Sequence, residues 1–132
     1  MWRVLVVDDN VVNRQLLIEV LDGQGQCDSA ANGREAVEAH GLSVREGNPY
    51  DVILLDIAMP EMDGIECLKI IWDNEKAAGI MPGKGVVIFM VTAFDKPFMQ
   101  AFNGGCDDYI LKPIDGNDVL AKIRSKLASR KK

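Results

Sequence analysis

Val4-Leu5-Val6-Val7-Asp8-Asp9-Asn10 is the stretch whose reading decides the fold. Four apolar residues in a row, with no polar alternation, fit a strand buried on both faces, as in a parallel sheet. The run breaks on two adjacent carboxylates, so something at that end of the strand must neutralise them. Similar runs occur at 52–55, 86–91 and 109–111, and a weaker candidate spans 27–31.

Helical patterns fill the gaps. Val12, Leu16, Leu17, Val20 and Leu21 share one face after Asn10, and Gly23 and Gly25 are stop signals. A second helix starts at Gly33 with Ala36, Val37 and Ala39 on a thin apolar stripe, and ends within 41–47. Ile65, Leu68, Ile71 and Trp72 mark a third. Asp95 as N-cap and Pro97 in the first turn open a fourth, which carries Phe98, Met99 and Phe102. Val119, Leu120, Ile123 and Leu127 mark a last helix starting near Asp115. Strand and helix thus alternate five times. With right-handed crossovers the order gives a doubly wound α/β fold, helices covering both faces of a five-stranded parallel sheet.

Length and charge narrow the function. The 132 residues, 48% of them apolar, suffice for one core, expected at 1–128, followed by a basic tail at 129–132. With 15 basic against 20 acidic residues, the sole basic cluster is Arg130-Lys131-Lys132. Duplex nucleic acid needs a basic face that is missing here, so no direct nucleic-acid contact is expected. Cys27, Cys67 and Cys106 are widely spaced, and His40 is the single histidine. This set fits reduced, mostly buried thiols in a cytoplasmic protein rather than a disulfide framework or structural zinc. No apolar run approaches a membrane span, and no signal peptide is expected.

In such a fold the working site lies at the carboxyl ends of the strands. There the first strand ends in Asp8-Asp9, the third in Asp56, the fourth in Thr92 and the fifth in Lys112-Pro113. Three clustered carboxylates repel one another unless protonated or bound to a cation. A hard cation with oxygen ligands fits, and Mg²⁺ suits a site of few carboxylates and several waters. With Mg²⁺ and Lys112 screening the repulsion, Asp56 becomes a candidate nucleophile towards a phosphoryl group, forming an acyl phosphate. Taken singly, Asp8-Asp9 could cap the following helix, Asp56 could be a turn residue and Lys112 a surface lysine. It is the coincidence of all five at equivalent strand ends that argues for a site. Asp107-Asp108 lacks such partners and reads as a solvated turn.

These residues resemble the receiver domain of response regulators over nearly the whole chain. The motifs carrying the resemblance are VLVVDDN at 4–10, DVILLDIAMPEMDG at 51–64, VTA at 91–93 and DDYILKP at 107–113. The resemblance implies a flavodoxin-like receiver fold and a signalling switch in a two-component or phosphorelay system, without turnover of an external substrate. Asp56 resembles the aspartate phosphorylated from a histidine kinase or histidine phosphotransfer protein. Asp9 resembles the direct ligand of Mg²⁺ (or Mn²⁺), Asp8 a ligand mainly through water, and Ala58 the residue whose backbone carbonyl completes the site. Lys112 resembles the lysine that pairs with the phosphoryl group, and its bond to Pro113 is expected to be cis. Thr92 and Tyr109 resemble the switch pair, in which the hydroxyl moves to a phosphoryl oxygen and the ring turns inwards. The response is expected on the face of the fourth helix, fifth strand and fifth helix.

NVVNRQLL at 10–17 and Lys112-Pro113-Ile114 look more like receivers of hybrid kinases, or stand-alone phosphorelay receivers, than like those joined to DNA-binding domains. The residues after Ser129 are too few for an output domain. The chain is therefore expected to dock to a downstream protein or to belong to a parent hybrid kinase, as a monomer or weak dimer. The segment 74–85 is longer than usual between third helix and fourth strand, and reads as a surface loop. Ala58 and Phe94 match the two variable positions that tune dephosphorylation in the family this chain resembles, and neither side chain can position a hydrolytic water. A haloacid-dehalogenase-like phosphatase needs an Asp where Ala58 stands. An FMN-binding flavodoxin needs a Ser/Thr/Gly phosphate loop where Asp8-Asp9 stand. A scaffold without phosphoryl chemistry does not account for the full set of site residues.

Overall fold

The apolar runs become five parallel strands because each strand sends side chains into a core on either face. The computed structural model describes residues 1–56, 63–81, 84–92 and 107–130. Their order is β1 (Trp2–Val7), α1 (Val11–Val20), β2 (Gly25–Ala30), α2 (Gly33–Arg45), β3 (Val52–Asp56), α3 (Gly64–Ala77), β4 (Val87–Thr92), β5 (Asp108–Leu111) and α4 (Gly116–Arg130). The helix expected at 95–102 lies outside the described residues, so α4 is the last helix of the sequence reading. The strand order is β2-β1-β3-β4-β5, all parallel, as expected for a doubly wound flavodoxin-like sheet.

Strand side chains alternate between two cores. Leu5, Val7, Ile53 and Leu55 pack with Ala36 of α2 and Leu68 and Ile71 of α3. Val4, Val6, Leu54 and Phe89 pack with Leu17 of α1 and Val119 and Ile123 of α4. Full burial stabilises each large apolar side chain by about 1.5–3 kcal/mol, so both faces contribute heavily. Among the described residues no helix is long and apolar enough to cross a membrane.

Several local expectations change. On α1, Leu17 and Leu21 are buried, but Val12 is 70% and Leu16 42% exposed. The side of α1 that meets the core is the one bearing Leu17 and Leu21, which pack with Val4, Val6 and Leu54. Helix α2, by contrast, ends at Arg45, within the expected 41–47, and the chain turns at Gly47 with φ +71°, a left-handed conformation open to glycine. Residues 74–77 are the last turn of α3, so the loop expected at 74–85 starts only at Ala78. Asp107-Asp108 is a structural pair rather than a solvated turn. Asp107 exchanges two bonds with Ile88: its N–H donates to the Ile88 carbonyl at 2.9 Å, and its carboxylate accepts from the Ile88 N–H at 2.8 Å. Asp108 begins β5 and accepts from the Tyr109 N–H at 2.8 Å.

A buried polar link joins α2 to α3. His40 Nε2 lies 3.0 Å from Glu75 Oε2, both residues almost fully buried, and the same oxygen accepts from the Val86 N–H at 3.0 Å. Gly85 approaches so closely that a Cβ there would collide with the Glu75 carboxylate. That carboxylate is held by His40 and Val86, so it cannot simply swing away. Truncating one member of a buried pair strands the other, and Glu75→Ala should cost about 3 kcal/mol in urea unfolding. A loss below about 1 kcal/mol would show that the pair contributes little.

At the opposite end of the sheet from the strand carboxyl ends, the Tyr50 hydroxyl donates to Asp28 at 2.6 Å and Arg3 stands 4.5 Å over the Tyr50 ring. Burial, then the hydrogen bond and charge of Asp28, push the phenol up to about 12. The folded value thus exceeds the unfolded one of about 10. The linked stability is fully present below pH 10 and is lost as pH rises through 12. The free energy of unfolding measured across that window should fall more steeply for the unmodified protein than for Tyr50→Phe.

Candidate functional site

Strand register places the acidic residues side by side. Val7 of β1 pairs with Leu55 of β3, so the next residues, Asp8 and Asp56, come level at the carboxyl ends. Asp8 extends the ladder by donating its N–H to the Ala30 carbonyl at 3.2 Å. Asp56 pairs with Val91 of β4, and Thr92, one residue on, pairs with Leu111 of β5. Lys112 follows at once, its N–H donating to the Thr92 carbonyl at 2.8 Å. Four strands thus deliver the four positions to one edge.

The acidic pair does not cap the following helix. Asn10 does: its side-chain oxygen accepts from the N–H groups of Val12 and Asn13 at 2.9 and 3.1 Å. Asp8 is instead fixed from both sides, its carboxylate accepting from the Asn10 N–H at 2.9 Å and its carbonyl from Arg14 Nη1 at 2.7 Å. The side chain of Asp8 is therefore aimed by α1, while Asp9 remains exposed.

Carboxylate oxygens of Asp8, Asp9 and Asp56 all lie within 4.8 Å of one another. Asp8 and Asp56 are buried, 1% and 4% exposed, so water screens their repulsion poorly. At an effective dielectric of about 20, each such like-charged pair costs on the order of 3 kcal/mol. Lys112 answers part of this: its Nζ lies 3.6 Å from Asp56 Oδ1 and 3.9 Å from Asp8 Oδ2. One ammonium cannot neutralise three carboxylates. An all-oxygen donor set, buried on one side and open at Asp9, fits a hard divalent cation that retains waters.

Thr92 is buried at the end of β4, beside the carboxylates, and the Lys112-Pro113 bond is cis, as expected. Tyr109 sits two residues before Leu111, half-buried against the core on the α2 and α3 face. Ala58 and Phe94 lie outside the described residues. Sequence reading missed two partners of the site. Arg14 is one turn into α1 and holds the Asp8 carbonyl, and Lys122 of α4 donates to the Tyr109 carbonyl at 3.0 Å. Arg14 follows Asn10 at helical spacing, which could have signalled it; Lys122 has no local signal.

Of the other titratable groups, Cys67 is buried in α3, and burial, then the charges of Asp63 and Glu66, push its thiol up to about 12. Such a thiol is unreactive near neutral pH and takes no part in the site. It donates to the Gly33 carbonyl at 3.6 Å, a packing role.

Comparison with known proteins agrees with this geometry. The family described as Response regulator receiver domain matches residues 4–124. The chain is 36% identical over 123 residues to hybrid signal transduction histidine kinase L of Dictyostelium discoideum, covering 92% of this chain and 7% of that protein. It is 40% identical over 128 residues to the transcriptional regulatory protein ResD of Bacillus subtilis, covering 95% of this chain and 48% of ResD. It therefore spans about half or less of the length of these curated relatives. Among solved structures it is similar to the receiver domain of the Saccharomyces cerevisiae response regulator Ssk1, co-crystallised with the histidine phosphotransfer protein Ypd1. The TM-score is 0.83 at 31% identity, over 96% of this chain and 89% of that one. Parallel sheet, acidic cluster and sequence match agree, and the chain belongs to the response regulator receiver domain family, the signalling switches of two-component and phosphorelay systems.

Proposed function

We propose that the chain is a phosphorylation-activated switch that accepts a phosphoryl group on Asp56 from the phosphohistidine of a histidine kinase or histidine phosphotransfer protein. The observation that carries this reading is the placing of Lys112 between Asp56 and Asp8, inside a three-carboxylate cluster. Asp8, Asp9 and Asp56, with the backbone carbonyl of Ala58, would hold Mg²⁺ or Mn²⁺. When bound, the cation supplies charge neutralisation for the transferring phosphoryl oxygens.

The residues of the chain do the rest. Asp56 attacks phosphorus, its carboxylate oxygen forming the new bond as the histidine nitrogen leaves. Lys112 can swing from its two carboxylates to a phosphoryl oxygen without leaving the strand edge. Thr92 supplies a hydroxyl donor to another oxygen, and Tyr109 turns inwards as that hydroxyl moves. A phosphoryl group adds about −1.5 to −2 units of charge. The phosphoryl contacts then favour the active arrangement by a few kcal/mol if it starts as a minor state. The change is read on β5, α4 and segment 95–102 by a downstream protein or by the parent hybrid kinase. The chain acts in the cytoplasm as a monomer or weak dimer, without nucleic-acid contact or turnover of an external substrate. The domain is assigned to 1–128, with 129–132 as its basic tail.

Intact-protein mass spectrometry after acetyl phosphate treatment tests the chemistry. A single phosphoryl adduct should form with Mg²⁺, be absent without it, and be absent in Asp56→Asn. With Ala58 and Phe94 unable to position water, the adduct should survive well beyond seconds without a phosphatase. No adduct under any condition would overturn the reading.

Metal binding is separable from phosphorylation. In Mg²⁺-free buffer, Asp9→Asn should raise the melting temperature by about 3 °C through relieved repulsion. Added Mg²⁺ should then stabilise the unmodified protein and leave the variant nearly unchanged. Equal stabilisation of both would remove Asp9 from the ligand set.

A further inference from the structure

Lys122 meets Tyr109 in two ways. Its ammonium donates to the Tyr109 backbone carbonyl at 3.0 Å and stands 5.0 Å from the centre of the Tyr109 ring. Asp118, one turn earlier on α4, holds the same ammonium at 3.5 Å. The setting is the sheet edge, since β5 is last in the strand order among the described residues. Edge strands carry backbone groups without a neighbouring strand, and Lys122 supplies a donor to one of them. The lysine side chain is only 28% exposed, so its charge lies against the ring in a partly desolvated place, where a cation over a ring face is attracted by the ring quadrupole.

These contacts differ in what motion would do to them. The carbonyl bond and the Asp118 pair fix the ammonium to backbone and helix, and neither depends on the ring. The ring contact alone is lost when the Tyr109 side chain turns. We propose that Lys122 is a positioning residue: its ammonium holds the Tyr109 ring in the described place and so sets how strong a phosphoryl signal must be to move it. The proposal rests on the reading of Tyr109 as the moving ring. It goes beyond that reading because it names what resists the motion. The anchoring by Asp118 and by the carbonyl matters here, since a lysine free to follow the ring would offer no resistance.

The chain has two tyrosines, so fluorine NMR of protein labelled with 3-fluorotyrosine can watch the ring directly, with Tyr50→Phe assigning the other signal. Beryllofluoride with Mg²⁺ serves as the non-covalent phosphoryl mimic, and its own bound fluorine resonances report occupancy independently. Lys122→Met should reach half-conversion of the Tyr109 signal at about fivefold lower beryllofluoride than the unmodified protein. Its resonance before addition should already be shifted towards the bound position. Lys122→Gln keeps a donor for the Tyr109 carbonyl but loses the charge, so it should behave like Lys122→Met. Lys122→Arg should restore the original midpoint. Unchanged midpoints in Lys122→Met and Lys122→Gln, with a Tyr109 signal that still moves on binding, would overturn the positioning role and leave the switch reading standing. A Tyr109 signal that stays put in the unmodified protein at full beryllofluoride occupancy would overturn the switch reading and the positioning role together.

Discussion

Two buried carboxylates brought level by a parallel register are the constraint on which the rest of this structure depends. Asp8 and Asp56 follow paired residues of β1 and β3, so their closeness follows from the sheet itself. A parallel pair cannot be sheared by one residue without turning every side chain to the wrong core. The fold therefore has to tolerate the repulsion at its edge. Lys112 is the protein's internal answer, and one ammonium offsets the repulsion of the acidic cluster only in part.

The helices serve that edge as well as covering the sheet. Asn10 satisfies the first N–H groups of α1, which frees Asp8 from capping, and Arg14 holds the Asp8 carbonyl from the same helix. On the other face, the His40 and Glu75 link binds α2 to α3 and fastens Val86 just before β4 begins. Thr92 stands at the far end of that same strand. The two cores thus act through different means: apolar packing with α1 and α4 on one side, packing plus a buried polar link with α2 and α3 on the other.

Much of this is written in short runs of sequence. Continuous apolar stretches such as 4–7 and 52–55 disclose buried parallel strands, and the polar residue that ends each stretch discloses the site. Strand ends are legible because the chemistry sits next to its structural signal. Contacts between distant segments are not. His40 reads as a lone histidine on a thinly apolar helix, and its partner Glu75 lies in the next helix, with nothing local to join them. Val12 and Leu16 share the periodicity of Leu17, yet periodicity cannot tell how wide a face the sheet will cover. Asp107 looks like any acidic turn residue until its bonds to Ile88 are seen.

That last pair has a consequence for how the edge keeps its alignment. β5 has only four residues and, among the described residues, pairs on one side alone, a strand short enough to slide. Asp107 lends β4 a side-chain acceptor where the ladder would otherwise begin, pinning the strand at its start. Slippage by one position would send the Tyr109 ring and the Lys112 ammonium to opposite faces from those they occupy. A carboxylate at the quiet end of the sheet thus acts as a register lock, keeping the reactive end in alignment at a distance.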